Sequence, residues 1–367
     1  MSRAIVCGGG IGGLASAVAL IRRGWHVEVL ERSPAFEEVG AGLSLWPNAL
    51  RALEAIGLGG AVRERSALAG PAGIRDSRGR WLSQVQPDAA DPAVQIAMIH
   101  RADLLDVLRT AVPGDALRAG TVVHAVDPGG VVVHSHGRSE ADLIVGADGI
   151  RSTVRASVWP AGAAARYVGY RTWRTVTAPF PIDQGGESWG RGERFGYAAL
   201  PDGRVYWFAV ANGPEGEEGI GLDHLRQRFG AWHDPIPALL DAARDDRILY
   251  HDLYELPRLS RYVMERVALV GDAAHAMTPD LGQGACQALE DAVVLAASMD
   301  DEGGLDGYDR RRRPRTQRIA ARARRTGAVA QWSAAPAVAL RNGVVRHAPP
   351  SALSRSLASI VDWTAPR

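Results

Sequence analysis

Residues 3–31 read RAIVCGGGIGGLASAVALIRRGWHVEVLE. The order is a short apolar strand, a glycine turn, an amphipathic helix and a second strand, and it predicts a βαβ unit in a doubly wound parallel sheet. Gly8, Gly10 and Gly13 fit the G-x-G-x-x-G pattern, whose glycines permit a tight turn, a close approach of pyrophosphate and close packing of helix on strand. Glu31 closes the second strand, where an acidic side chain accepts hydrogen bonds from ribose hydroxyls. The stretch therefore predicts a nucleotide bound at the start of the helix, and it leaves FAD and NAD as alternatives.

The composition narrows the classes of protein to consider. Of the 367 residues, 46% are hydrophobic and 23% are charged, which is typical of a globular protein of one large or two closely joined domains. All 42 basic residues are arginine, and the net charge of +1 argues against attraction to nucleic acid or an anionic membrane. Cys7 and Cys286 are too few for a disulfide framework, which suits a reducing compartment. Because no stretch is typical of a transport signal or a membrane span, the expected location is the cytoplasm.

The region from about 159 to 262 differs from the rest of the chain. It is rich in Gly, Pro and Trp and has alternating runs such as RVYWFAV at 204–210, so we expect a mostly antiparallel sheet inserted into the first domain. A buried-strand pattern returns at 267–270, a long helix is predicted from about 283 to 298, and residues 305–345 are predicted to be helical. The predicted fold class is α/β, with a Rossmann-type domain, an inserted β-sheet domain and C-terminal helices.

Two further segments place glycine beside a carboxylate: DLIVGADGIRSTVR at 142–155 and VGDAAHAMTPDLGQGACQALEDA at 270–292. Together with the first motif, with GAG at 40–42 before WPNA at 46–49, and with Arg101 at a helix start, they resemble the fingerprints of the FAD-dependent aromatic hydroxylases (class A flavoprotein monooxygenases), above all the salicylate hydroxylase and urate hydroxylase branch. The resemblance spans nearly the whole chain. It implies an FAD-binding domain formed by residues 1–71, 98–159 and 262–350. It also implies a substrate domain formed by residues 72–97 and 160–261, and a C-terminal helical region formed by residues 303–367.

The resemblance also implies which residues hold the FAD. Asp148 and Gly149 are expected near the pyrophosphate, and Asp272 is expected to bind the ribityl or ribose portion. Arg155 belongs to a region that also serves the nicotinamide cofactor. A glycine turn that starts a helix aims N–H donors at one spot, so the turn at 282–284 is expected to stabilise the negative charge of reduced flavin. The predicted cofactor-binding residues are Gly8, Gly10, Ile11, Gly13, Glu31, Arg32, Gly42, Arg101, Asp148, Gly149, Arg155, Gly271, Asp272, Pro279, Gly282, Gln283 and Gly284.

The inserted domain is expected to form the other wall of the active site. In the urate hydroxylase branch an Arg and a Tyr twelve positions later face substrate and flavin, and Arg194 and Tyr206 match that spacing. Alternation along the strand places Tyr206 and Phe208 on one face. Arg194 and Tyr206 are therefore the predicted catalytic residues, and Trp46, Trp173 and Phe208 are predicted to line the substrate pocket. No metal site is predicted.

Three titratable residues of the third motif are interpreted as structural rather than catalytic. His275 occupies a position that usually packs structurally in the resembled family. Asp280 and Glu290 are interpreted as local caps or helix partners rather than as general bases.

The activity implied by the resemblance is the hydroxylation of a small aromatic or heteroaromatic substrate. By this resemblance FAD would take hydride from NADH or NADPH, react with O2 to give a hydroperoxide at its C4a atom, and transfer one oxygen, while Tyr206 would orient or deprotonate a phenolic substrate. A same-fold flavin epoxidase or other oxidoreductase is an alternative, although a halogenase is disfavoured because the chain has no Lys. A distant alternative is a nucleic-acid-binding protein that uses RRRRPR at 310–315, which the balanced net charge disfavours. A monomer or a homodimer is expected.

Overall fold

The computed structural model describes residues 2–36, 41–70, 72–85, 95–159, 164–217, 220–349 and 357–366. Gly40, quoted above, lies outside them. The strands are β1 (Arg3–Cys7), β2 (His26–Leu30), β3 (Gly42–Leu45), β4 (Ser66–Leu68), β5 (Ala72–Asp76), β6 (Trp81–Val85), β7 (Ala97–His100), β8 (Leu117–Arg118), β9 (Val123–Asp127), β10 (Val131–His134), β11 (Gly137–Glu140), β12 (Leu143–Gly146), β13 (Arg166–Pro179), β14 (Gly186–Trp189), β15 (Glu193–Ala199), β16 (Arg204–Asn212), β17 (Leu249–Glu255), β18 (Val263–Met264) and β19 (Val267–Leu269). The helices are α1 (Ile11–Ile21), α2 (Pro47–Ala55), α3 (Gly59–Glu64), α4 (Arg101–Thr110), α5 (Thr153–Val158), α6 (Leu222–Phe229), α7 (Ile236–Asp241), α8 (Asp272–His275), α9 (Gly284–Ser298), α10 (Gly304–Ala330) and α11 (Ala335–His347).

A six-stranded sheet in the order β18-β19-β12-β1-β2-β8 forms the centre of the first domain. The pairs β19-β12, β12-β1, β1-β2 and β2-β8 are parallel, as the βαβ pattern predicted. Central strands of a parallel sheet are covered on both faces, which explains why Ala4 to Cys7 and Leu143 to Val145 are fully buried apolar runs. Helices α1 and α9 pack against each other beside this sheet. The predicted α/β fold class is confirmed.

The second sheet has seven strands in the order β17-β13-β16-β15-β14-β5-β6, and each adjacent pair is antiparallel except β14-β5. One face carries an apolar cluster that includes Trp173, Phe195 and Trp207, covered by α6 and α7. The other face presents residues such as Tyr206 and Phe208, because successive side chains of a strand alternate. The domain boundaries given above stay a prediction. Two antiparallel sheets of three strands, β11-β10-β9 and β3-β7-β4, complete the β structure of the described ranges.

The C-terminal helices follow the predicted helical stretch, with one interruption. Helix α10 ends at Ala330, the chain turns over residues 331–334, and α11 begins with Pro336 in its first turn. Proline suits that position because the first turn of a helix leaves its N–H groups unpaired in any case. Within the described residues, no helix is both long and apolar enough to span a bilayer. The cytoplasmic location and the oligomeric state stay predictions.

Candidate active site

The glycine turn between β1 and α1 has the backbone geometry of an anion-binding loop. Gly8 has φ of +112°, which a side chain would disfavour. A Cβ atom on Gly13 would overlap the Gly8 carbonyl oxygen, so helix and turn pack as closely as backbone allows. A Cβ atom on Gly10, by contrast, would have no described atom within 4 Å. The first N–H groups of α1, which no side chain of the described residues caps, therefore open onto free space beside Gly10.

Three loops meet at the carboxyl edge of the parallel sheet. Ala147 N donates to Cys7 O at 2.8 Å, and Val270 N donates to Gly146 O at 3.0 Å. A Cβ atom on Gly8 would lie 3.0 Å from the Cα atom of Asp148. The loops that contain Gly10, Asp148 and Asp272 are thus neighbours because β1, β12 and β19 are adjacent and parallel. The crevice at the carboxyl ends of such strands is where open α/β sheets bind nucleotides.

Glu31 is held at the end of β2 beside the glycine turn. Its carboxylate accepts hydrogen bonds from Gly9 N at 2.7 Å and from Ser33 N at 2.8 Å. Each oxygen keeps a further lone pair for a ribose hydroxyl. The neighbouring Arg32 is exposed, and Arg101 opens α4 with its backbone N–H bonded to Ala41 O at 2.9 Å.

The loops after β12 and β19 provide acceptors of the kind that a nucleotide requires. Asp148 accepts a hydrogen bond from Val154 N at 3.0 Å through Oδ2, whereas its buried Oδ1 has no partner among the described residues. Gly149 has φ of +79° and Gly271 has φ of +57°, so both positions favour glycine. Asp272 begins α8 and its side chain is exposed.

Arg155 has a structural role that the sequence analysis did not predict. Its guanidinium is buried and donates to Ala273 O at 2.9 Å and to Ile150 O at 2.5 Å. Burial lowers the pKa of this guanidinium, and the charge of Asp148 partly opposes that change. Arg155 therefore holds the loop after β12 against the loop after β19, and its service to the nicotinamide cofactor stays a prediction.

The turn at 282–284 has the geometry expected of a flavin-binding loop. Gly282 is left-handed, with φ of 60° and ψ of 27°, and α9 begins at Gly284 with no capping side chain among the described residues. A Cβ atom on Gly282 would lie 3.0 Å from Trp46 Nε1. That nitrogen and Gln283 Nε2 are buried donors without partners among the described residues. Unpaired buried donors are costly, so they fit a bound group with several carbonyl and ring-nitrogen acceptors, such as the flavin ring.

The second sheet meets this region at Tyr206. A Cβ atom on Gly42 would lie 2.5 Å from Tyr206 Cβ and 2.7 Å from its Cδ1, so the tyrosine covers this glycine. The rings of Tyr206 and Phe208 are 6.1 Å apart, and Phe208 in turn covers Gly196. Burial raises the pKa of the Tyr206 phenol above its usual 10, although the charges of Arg174 and Arg101 oppose the rise. The predicted pocket residues Tyr206 and Phe208 therefore share one face.

Arg194 lies on the same face and is fully paired. Its guanidinium bonds Gln331 Oε1 at 2.8 Å, Glu187 Oε1 at 3.1 Å and Asp280 Oδ1 at 2.6 Å. Tyr170 donates to Asp280 Oδ2 at 2.7 Å. Burial raises the pKa of Glu187, and the Arg194 charge opposes that rise. The interpretation of Asp280 as a local cap is therefore wrong, because this carboxylate joins the loop that contains Pro279 to the second sheet.

The predicted position of Trp173 in the pocket is also wrong. In the antiparallel register Trp173 is opposite Ala209, whereas Tyr206 and Phe208 are opposite Val176 and Arg174. Trp173 therefore points to the opposite face, where it is 1% exposed and donates through Nε1 to Ile220 O at 2.7 Å.

Glu290 and Asp291 belong to a buried ion-pair cluster that the sequence analysis missed. Arg312 bonds both carboxylates, with Nε 2.6 Å from Asp291 Oδ1, and Asn48 donates to Glu290 Oε1 at 2.6 Å. His275 Nε2 lies 2.5 Å from Asp291 Oδ2. His275 is thus a structural partner, as expected. Glu290 links three helices, because it lies in α9 and bonds Asn48 of α2 and Arg312 of α10.

Three further arginines of the run in α10 are also paired. Arg313 pairs with Asp309 at 3.0 Å, Arg315 with Glu290 at 2.8 Å, and Arg311 with Asp301 at 2.7 Å. These guanidiniums are occupied by carboxylates of the same chain, so the run does not favour the nucleic-acid-binding alternative.

These features define the class of an FAD-dependent oxidoreductase: the crevice for a nucleotide, the unpaired donors at the turn at 282–284, and the second sheet that faces them. The family model described as "FAD binding domain" matches residues 1–167 and 256–323. Aurachin C monooxygenase/isomerase of Stigmatella aurantiaca is 39% identical over 361 residues, which is 93% of each chain. FAD-dependent urate hydroxylase of Klebsiella oxytoca is 32% identical over 88% of this chain and 89% of its own. The crystal structure of Klebsiella pneumoniae HpxO with FAD and uric acid matches with a TM-score of 0.89 and 28% identity, over 98% of this chain and 96% of that chain.

The chain therefore belongs to the FAD binding domain family, and within it to the FAD-dependent monooxygenases of the aromatic hydroxylase type. The predicted cofactor and enzyme class are confirmed.

Proposed function

We propose that this enzyme uses NADH or NADPH and O2 to hydroxylate a small aromatic or heteroaromatic compound between the flavin site and the second sheet. The main support is the contact of Tyr206 with Gly42, which brings one face of the second sheet against β3, beside the nucleotide crevice. When bound, FAD supplies hydride acceptance and oxygen activation, and the protein supplies position and electrostatics. Asp148, Asp272 and the turn at 282–284 would hold it.

Tyr206 orients the substrate as a hydroxyl donor. Its raised pKa keeps the phenol protonated at neutral pH, which argues against a tyrosinate base. No hydrogen bond joins its hydroxyl to another described residue, so the donor is left for a ligand. Phe208, packed on Gly196, supplies an apolar wall that excludes water from the same space.

Arg194 acts as a positioning residue. Each of its three nitrogens already has a partner, and two carboxylates balance its charge, so it offers a substrate anion little attraction. Its pairing with Asp280 instead fixes the flavin loop against the sheet that carries Tyr206.

The test is oxygen incorporation by the purified yellow holoenzyme. A panel of phenols and N-heterocycles is supplied with NADH or NADPH under isotopically labelled O2. We expect substrate-stimulated oxidation of the nicotinamide and one labelled oxygen in a ring hydroxyl of the product. A labelled oxygen bridging two carbons would favour the epoxidase alternative. Formation of hydrogen peroxide alone with every compound would contradict the proposal.

A further inference from the structure

A second arginine on the pocket face, Arg174, differs from Arg194 in having no carboxylate partner. Its Cα atom is opposite Phe208 in β16, so its side chain is on the face of Phe208 and Tyr206. Its Nε is buried without a hydrogen-bond partner among the described residues. Its terminal nitrogen lies 3.3 Å from His251 Nδ1, and no carboxylate of the described ranges is within salt-bridge distance.

The two arginines show what is missing at Arg174. Arg194 is buried and its charge is balanced by Glu187 and Asp280. Arg174 is half-buried, beside the same pocket, and its positive charge is balanced by no described group. The Nε of Arg174 is removed from water without a partner, and the guanidinium charge has no counter-ion among the described residues, so this place in the pocket wall favours a negatively charged ligand.

His251 is the hydrogen-bond partner of Arg174 among the described residues. A guanidinium has only donors, so a hydrogen bond from Arg174 requires Nδ1 of His251 to be the acceptor. The ring proton then lies on Nε2. Burial, and after it the charge of Arg174, lower the pKa of His251, which keeps the ring neutral at pH 7. A neutral His251 thus leaves the charge of Arg174 unbalanced, and its own Nε2–H points away from the guanidinium.

We propose that Arg174, oriented by His251, binds an anionic oxygen of the aromatic substrate, either a ring phenolate or a ring carboxylate. The proposal rests on the proposed function and names the class of substrate for the same pocket. Arg174 meets this oxygen from β13 while Tyr206 donates from β16, so the pair would set which ring carbon faces the flavin.

The test measures binding to the FAD-loaded protein by the change in flavin absorbance and by calorimetry. For the carboxylate arm the probes are 2-naphthoate and its neutral isostere 2-naphthamide, which are bicyclic like uric acid. For the phenolate arm the probe is 4-nitrophenol, whose own colour shows whether it is bound ionised. We expect wild type to prefer naphthoate by about tenfold, or to bind nitrophenol as its anion, because hydrogen bonds to charged groups contribute about that much.

Arg174→Gln should abolish the preference that wild type shows, Arg174→Lys should retain part of it, and FAD content should not change. Arg166→Gln, an exposed arginine of the same strand, is the matched control and should leave the preference intact. No preference for either anionic probe in wild type, or an unchanged preference in Arg174→Gln, would overturn the proposal. If the yellow protein hydroxylates neutral aromatic rings as well as anionic ones, this proposal is wrong and the proposed function stands. If the protein does not bind FAD, both are wrong.

Discussion

Replacing Gly10 by alanine separates the binding of FAD from the folding of the protein. Gly10 has φ of −76°, which alanine adopts readily, and its Cβ atom would touch no described atom within 4 Å. The cost to the folded apoprotein is that of alanine in place of glycine at a helix N-cap, about 0.5 to 1 kcal/mol. If pyrophosphate approaches the backbone here, the added methyl group occupies its place.

The expected loss of affinity follows from the hydrogen bonds at the start of α1. A pyrophosphate that retreats from the methyl group loses at least one charge-assisted bond from the helix N–H groups, worth about 1.5–3 kcal/mol. That corresponds to a loss of roughly tenfold to a hundredfold in the affinity for FAD. Titration of apoprotein with FAD, followed by quenching of flavin fluorescence, measures the dissociation constant, and urea unfolding of the apoprotein measures stability.

Two matched variants complete the design. In Gly13→Ala the new Cβ atom would overlap Gly8 O and lie 3.0 Å from its carbonyl carbon, so we expect loss of stability of about 1–3 kcal/mol or more, from overpacking. Gly60→Ala, in α3, also has open space around its Cβ atom and should change neither property by much. A folded Gly10→Ala protein that binds FAD as tightly as wild type would refute the assignment of the pyrophosphate to this turn.

Three further predictions concern the pocket and the buried cluster. Tyr206→Phe should keep FAD content but reduce product formed per NAD(P)H oxidised, and because burial raises the pKa of the phenol and keeps it protonated near neutrality, its activity relative to wild type should not vary with pH there; a pH-dependent ratio would instead indicate a tyrosinate base. Gly42→Ala would overlap Tyr206 by about 1 Å, so we expect a stability loss of about 1–3 kcal/mol in urea unfolding together with lower coupling, and a variant normal in both would show that the ring has room to move. Burial would raise the pKa of Glu290, but Arg312 and other partners lower it below its ordinary 4.5, so ionised Glu290 stabilises the fold above about pH 4.5 and this stabilisation is lost as pH falls through the folded-state pKa. Arg312→Gln should therefore lower the free energy of unfolding by about 3–5 kcal/mol at neutral pH and flatten its dependence on acid. Unfolding curves of the variant that keep the wild-type pH dependence would contradict this prediction.

The flavin side of the site could be predicted from sequence because its recognition depends on backbone conformation. Gly8, Gly149 and Gly282 have positive φ, and at such positions the requirement for glycine is local and visible in the sequence. The carboxylates that accompany them follow within a few residues of a buried strand. A parallel sheet then brings those strand ends together without any further information.

The substrate side could be predicted only in part because its contacts are long-range. Alternation correctly placed Tyr206 and Phe208 on one face, since it depends on a single strand. The face of Trp173 depends on the register between β13 and β16, which no local pattern reveals. Asp280 was misinterpreted for the same reason: its partners Tyr170 and Arg194 are 110 and 86 residues away in sequence.

The pairing of Arg194 with Asp280 has a consequence for how the two walls of the pocket are aligned. Apolar packing is non-directional, so the sheet could slide against the flavin loop at little cost if apolar contact alone held them. A buried guanidinium between two carboxylates tolerates no such displacement, because each lost hydrogen bond leaves a charge unpaired inside the protein. An oxygen-transfer reaction needs the reacting atoms held within a small distance, and misplacement of about 1 Å can cost a hundredfold in rate. We infer that this ion pair serves alignment rather than net stability, because it joins the loop beside Pro279 to the strand next to Tyr206.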